Sequence, residues 1–175
     1  MFKNAGRIAA TALFVTASML VLHASPSSSQ LGAIRPTAGE AFALVETARR
    51  GSPTISRLLR ALEESDLVVY VEVHRELKAG VGQLSLLTAV AGVRRFRIAL
   101  DRHLGTRDQI VVLGHELYHA TELARAPGVV DQVTMKAFYE EVGFRVGRKC
   151  GRLRYDTADA RKTAREIAQE VDTSR

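Results

Sequence analysis

Apolar residues recur at helical spacing from Thr37 to Arg50, where Ala41, Leu44, Val45 and Ala48 share one face and Gly51 closes the segment. Ser52-Pro53 then opens a second helix by the cap-then-proline rule, with Ile55, Leu58, Leu59 and Leu62 on its apolar side. The two form a helical hairpin. The period changes at Leu67. Leu67 to Val73 is rich in β-branched residues and predicts a strand, followed by a turn at Gly80-Val81-Gly82. Gln83 to Val90 is a second strand candidate, although Leu84, Leu86 and Leu87 also suit a helix; Gly92 ends it. From Val93 to Leu100 the chain alternates, with Arg94, Phe96, Ile98 and Leu100 on one side and Val93, Arg95, Arg97 and Ala99 on the other. That is a strand with one wet face, as in an antiparallel meander.

Helical spacing returns after Thr106, a candidate cap with Asp108 in the first turn. Ile110, Leu113, Leu117 and Leu123 mark this helix, which runs to about Arg125 before Pro127-Gly128 stops it. Asp131 caps the next helix, with Met135, Phe138, Tyr139 and Val142 as its stripe. Gly143 to Gly151 reads as loop or a short strand, and Asp156 or Thr157 starts a final helix reaching Glu170. The expected class is α+β: a helical hairpin, a small mostly antiparallel sheet, a long helix and two C-terminal helices.

The first residues stand apart from this pattern. Lys3 and Arg7 precede an apolar run, Ile8 to Leu22, and small residues follow at Ala24 and Ser25. A basic start, an apolar middle and a small-residue end describe a signal peptide over residues 1–24. Residues 25–36 then read as a linker and 37–175 as a single domain. The implied location is exported, periplasmic or secreted, with no stable membrane anchor after cleavage. Removing 1–24 takes two of the 25 basic residues and none of the 19 acids, which leaves a formal charge of +4. Part of that excess is local, at Arg145, Arg148, Lys149, Arg152 and Arg154. Such a run is a solvated loop or a contact for acidic substrate groups. Nucleic acid is not the expected partner, because Phe144 and Tyr155 are the only aromatics near the run. Cys150 is the only cysteine, so the domain has no internal disulfide, and the residue reads as an incidental thiol.

Candidate chemistry concentrates in His115-Glu116-Leu117-Tyr118-His119, an H-E-x-x-H sequence inside the expected long helix. Two histidines four apart project from one helix face, where both imidazoles reach one Zn²⁺ and the intervening Glu reaches its water. With His115 at 0°, His119 falls near about 40° and Glu122 near about −20°. Leu113, Leu117 and Ala124 lie away from that polar front, free to pack.

This motif resembles the active-site helix of the zincin metallopeptidases, which follows a mostly antiparallel sheet and precedes a second helix. The specific resemblance spans about Gly114 to Glu122. It implies a minimal zincin-like domain with His115 and His119 as zinc ligands and Glu116 as general base on a zinc-bound water. The metzincin extension is excluded, because Glu122 and Arg125 stand where Gly and His belong. In the gluzincin class the third ligand is a Glu on the next helix. Glu141 suits that place better than Glu140, which points nearly opposite the apolar stripe. Asp131 is spaced for an aspzincin ligand, but a helix cap explains it more simply. Glu122 faces the histidines and is either a ligand or a carboxylate that fixes a ligand imidazole. Glu122 and Glu141 therefore both stand as third-ligand candidates.

The other polar residues carry less. His74 and His103 fall at strand ends or turns and read as surface histidines. Tyr118, Tyr139 and Tyr155 are suited to packing, or to a hydrogen bond on a developing oxyanion. Two functions follow. One is an exported zinc peptidase acting on small peptides or an accessible loop of a protein. The other is a non-catalytic envelope module with a structural or vestigial metal site.

Overall fold

Ser52 joins the first two helices, α1 (Gly39–Gly51) and α2 (Pro53–Glu63), in a computed structural model that describes residues 32–173 except 76, 78, 79, 150 and 151, and except the side chains at 148, 149, 152 and 153. Its Oγ accepts from the Ile55 N–H at 3.0 Å, and Pro53 occupies the first helical turn, so a free N-terminal donor is satisfied and φ is preset. The apolar stripe expected for α1 is buried at all four positions, and Ile55, Leu59 and Leu62 of α2 join it. The expected signal segment, residues 1–24, lies outside the described residues. Of the expected linker, the last three residues are not a linker. Ile34–Pro36 form an edge strand, β1, parallel to Val69–Val71. Three residues are too few to show a period of two, and Pro36 fits an edge.

The main sheet adds β2 (Leu67–His74), β3 (Gly82–Val90) and β4 (Val93–Asp101), in the order β1-β2-β4-β3. The fold is α+β, but the sheet is mixed rather than mostly antiparallel. β2 runs parallel to both β1 and β4, and only β3 and β4 pair antiparallel. The alternation in β4 correctly marks its buried side, with Phe96, Ile98 and Leu100 sealed from solvent. It carries no information on the direction of a neighbour. β4, with Ala99 buried as well, takes an inner place, while the more exposed β3 is left at the edge.

The long helix α3 (Thr106–Ala124) touches α1, α2 and strands β2 to β4, and its Ile110, Leu113, Leu117 and Leu123 are core. It starts where expected, although Gly105 rather than Thr106 is the N-cap residue. Arg94, on the inner face of β4 and 2% exposed, fixes the far end of α3. One guanidinium nitrogen donates to the carbonyls of Leu123 at 2.9 Å and Ala126 at 2.8 Å, and two others bracket the Asp66 carboxylate at 2.6 and 2.8 Å. Cation and open helix C-terminus satisfy each other.

The chain continues into α4 (Gln132–Val142), capped by Asp131 and Thr134 in a reciprocal capping box. Tyr139 is its one buried apolar residue; Val142, expected in the stripe, is exposed. The segment after Gly143 is a two-stranded hairpin, β5 (Phe144–Lys149) and β6 (Arg152–Asp156). It leads into the final helix α5 (Ala158–Thr173), whose Ala160 N–H is capped by Thr157 Oγ1 at 3.2 Å. α5 runs antiparallel to α3: Thr157 meets Glu122, Ile167 meets Gly114, and Asp172 meets Arg107. Gly114 permits this closeness, since a Cβ there would stand 2.2 Å from Ile167 Cδ1. No described helix is long and apolar enough to cross a membrane.

Candidate metal centre

His115 and His119 lie on one face of α3, one turn apart, with their rings edge to face at 4.7 Å between centroids. Their Nε2 atoms are 3.2 Å apart. The third member of the group is Asp156, at the end of β6. Its Oδ1 lies 3.4 Å from His115 Nε2 and 3.5 Å from His119 Nε2. The three atoms form a nearly equilateral triangle. Ligand atoms about 2.0–2.1 Å from a tetrahedral zinc stand roughly 3.3–3.4 Å apart, so this triangle has the size of one tetrahedral face. Two imidazoles and a carboxylate are a zinc-type donor set. Among the described residues this is the group arranged to hold a metal.

The sequence-based candidates divide accordingly. Glu122 faces the histidines but takes a supporting place. Its Oε2 accepts from His119 Nδ1 at 2.7 Å, and its Oε1 accepts from Thr157 Oγ1 at 2.8 Å. That bond leaves Nε2, the nitrogen in the triangle, for a metal. Glu141 is exposed on α4 and takes no part in the group. Glu140 is also exposed and engages Tyr155 Oη at 2.8 Å and Lys136. Asp131 serves as the α4 cap. Of the three tyrosines, Tyr139 packs its ring on His119 and has its hydroxyl 3.5 Å from the His119 carbonyl, Tyr155 donates to Glu140, and Tyr118 lines a groove of about 500 Å³ between α2, α3 and α5. His74 pairs with Glu72 at a strand end, away from the site.

Asp156 was legible only as the start of a helix. It reaches the histidines because α5 docks antiparallel on α3, a long-range event that no local pattern encodes. The available signal was its place directly before the capping Thr157. Its other oxygen, Oδ2, is occupied by Arg161 Nε at 2.7 Å, and Thr157 N–H donates to Oδ1 at 2.8 Å.

Charge is strongly coupled here. Burial disfavours an imidazolium at His119, but the Asp156 and Glu122 carboxylates outweigh it, and its pKa is pushed up to about 9. Burial and the neighbouring His119 charge lower the pKa of His115. Burial acts against ionised Asp156 too, yet His119 and Arg161 hold it well below the usual carboxylate range. Glu116 is 8% exposed, and burial raises its pKa, with His119 and the Leu84 N–H pulling the other way. Its carboxylate rests against β3. A Cβ on Gly82 would stand 3.1 Å from Glu116 Oε1 and 2.3 Å from Val112 Cγ1, so glycine lets the strand pass this close.

No family model, no curated protein and no solved structure matches the chain.

Proposed function

We propose that this domain is a zinc-dependent hydrolase of peptide or amide bonds, with His115, His119 and Asp156 as ligands and Glu116 as general base. The supporting observation is the triangle of Nε2, Nε2 and Oδ1 at 3.2–3.5 Å, with Glu116 one residue from a ligand on the same helix. Three protein ligands leave a tetrahedral ion one open position, the arrangement of catalytic rather than structural zinc. A zinc ion held there supplies a Lewis acid that polarises a carbonyl and lowers the pKa of a water towards neutrality. Glu116 takes the proton of the attacking water and passes it to the leaving amine. Burial raises the pKa of Glu116, which makes its carboxylate a better proton acceptor than an exposed one. Glu122 keeps the proton of His119 on Nδ1, and Arg161 turns Asp156 so that one oxygen remains for the ion. The small domain suits short peptides or an accessible loop of a protein. The N-terminal pattern supports export.

The burial of Glu116 and His119 favours a second reading, a metal-stabilised envelope module without catalysis. One experiment separates the two. Zinc content and hydrolysis of a quenched-fluorescence peptide mixture are measured for the domain and for Glu116→Gln and Asp156→Ala. The hydrolase reading expects one zinc per domain, full zinc in Glu116→Gln with activity down by about 10²-fold or more, and loss of both in Asp156→Ala. Full activity in Glu116→Gln overturns the mechanism. Bound zinc with no hydrolysis of any peptide favours the module.

A further inference from the structure

The β2–β3 turn brings two charged side chains to one place. The Glu116 carboxylate rests against Gly82, and the Arg154 guanidinium rests against Gly80, where a Cβ would stand 2.9 Å from Nη1. Gly80 has φ +112°, a conformation that side chains rarely adopt, and having no side chain it lets the guanidinium lie directly on its backbone. Arg154 lies on β6 two residues before Asp156, and alternation puts the two on the same face of that strand. It is thus carried by the strand that delivers the third ligand, about 7 Å along, which is two residues of an extended peptide. Arg154 is exposed, and its charge acts on the Glu116 carboxylate, while among the described residues its guanidinium donors are not taken up by a hydrogen bond, in contrast to those of Arg145 in the same hairpin, which is engaged by Glu140. A fork-shaped, permanently charged donor at the rim of a buried acid–base site is suited to one class of partner, a carboxylate held by two parallel hydrogen bonds.

We propose that Arg154 is the specificity-determining residue of this site and holds a carboxylate of the peptide substrate, a proposal that rests on the peptidase function above. The guanidinium lies against Gly80 and is not one of the three groups of the ligand triangle, so it acts on a group of the substrate other than the reacting carbonyl. The carboxylate is either the substrate's C-terminus or an Asp or Glu side chain.

The test uses binding, so that it does not depend on turnover. The zinc-loaded Glu116→Gln domain is titrated against three dye-labelled probes: pentaalanine with a free C-terminus, pentaalanine amide, and an amide with one internal Glu. Fluorescence anisotropy is the readout, and the titrations are repeated with Glu116→Gln/Arg154→Ala. The free acid or the Glu-containing amide is expected to bind about tenfold or more tightly than plain amide, and whichever does so identifies the source of the carboxylate. Arg154→Ala abolishes that preference and leaves zinc content unchanged, since Arg154 touches no ligand. Equal binding of all three probes, or a preference that survives Arg154→Ala, overturns the proposal. A preference that needs Arg154, in a domain whose unmutated form cleaves none of the probes and no peptide mixture, sinks the peptidase function and leaves Arg154 as a carboxylate site.

Discussion

Thr157 Oγ1 donates to Glu122 Oε1 across 2.8 Å and joins the last turns of α3 to the residue that follows Asp156. The same hydroxyl accepts from the Ala160 N–H and so caps α5. One side chain therefore sets the orientation of the His119 imidazole, through Glu122, and the start of the helix that follows Asp156; His119 and Asp156 are two of the three proposed ligands.

Thr157→Val keeps the shape of the side chain and removes both hydrogen bonds. The lost cap costs about 1 kcal/mol of stability. Zinc affinity falls further than a lost cap explains, by about 10–100-fold, because Glu122 and with it His119 lose their anchor. Competition with a fluorescent chelator measures the affinity. Thr157→Ser keeps the hydroxyl and restores most of it. Unchanged affinity in Thr157→Val would show that Glu122 holds His119 unaided.

How far the centre could be read from sequence follows from the range of each contact. His115, Glu116 and His119 were legible because helix geometry alone sets their common face. Glu122 was legible as facing them, but its role depended on Thr157, 35 residues away. Asp156 was legible only as a helix start, because its place beside the histidines depends on contacts between residues far apart in the sequence. The sheet shows the same division. Alternation in β4 identified the inner face, including the anomalous Arg94 beside Phe96 and Ile98, yet neighbours and directions depend on chain connections that the pattern does not contain. Val142 was misjudged for a related reason: α4 buries only Tyr139 in the core, so its apolar stripe exceeds the surface available to cover it.

The pH dependence of the centre follows from His119. Without metal its pKa is pushed up to about 9, above the ordinary 6.5, so the proton it holds contributes stability. That contribution is complete below pH 6.5 and is lost as pH rises through about 9. Zinc acts in the opposite sense, because it requires the neutral imidazole, and each pH unit below about 9 weakens binding about tenfold. His115, with its lowered pKa, adds a second proton only at more acid pH. The gap in melting temperature between zinc-loaded and chelator-treated domain is therefore expected to widen steadily from about pH 6.5 to 8.5. A gap that stays level or narrows contradicts the assignment of His119 as a ligand.

Arg94 and Asp66 contribute to stability towards acid. The hydrogen bonds from Arg94 lower the pKa of Asp66 below its ordinary 3.8. The pair's contribution is thus present above pH 3.8 and is lost as pH falls through the lowered value. Asp66→Asn leaves a guanidinium buried without its counter-charge. The cost is about 2 kcal/mol, less than the roughly 3–5 kcal/mol of wholly buried pairs because the Asp66 side chain is 37% exposed. Urea midpoints measured between pH 2.5 and 6 should be lower for the variant at pH 6 and converge with the parent at the acid end. Parallel curves across that range mean that Asp66 does not titrate with folding.

The contact of Gly114 with Ile167 tests how Asp156, the proposed third ligand, is delivered. Helix propensity alone favours Gly114→Ala by about 1 kcal/mol. The packing opposes it, since the new Cβ would meet Ile167 Cδ1 at 2.2 Å, and Ile167 is fully buried. Overpacking of this kind costs about 1–3 kcal/mol and is relieved by moving the helix, so α5 and Asp156 with it should shift away from α3. The expected result is a less stable domain with weaker zinc binding. Ile167→Val removes the offending methyl at a cost of about 0.5–1.5 kcal/mol by itself. Combined with Gly114→Ala it should bring stability back towards the parent, and zinc affinity with it. Denaturant unfolding and chelator competition on the four proteins of this cycle give the coupling. Strict additivity of the two substitutions, in stability and in zinc affinity alike, would mean that α5 does not bear on α3 at this point and that Asp156 is held in place by the β5–β6 hairpin alone.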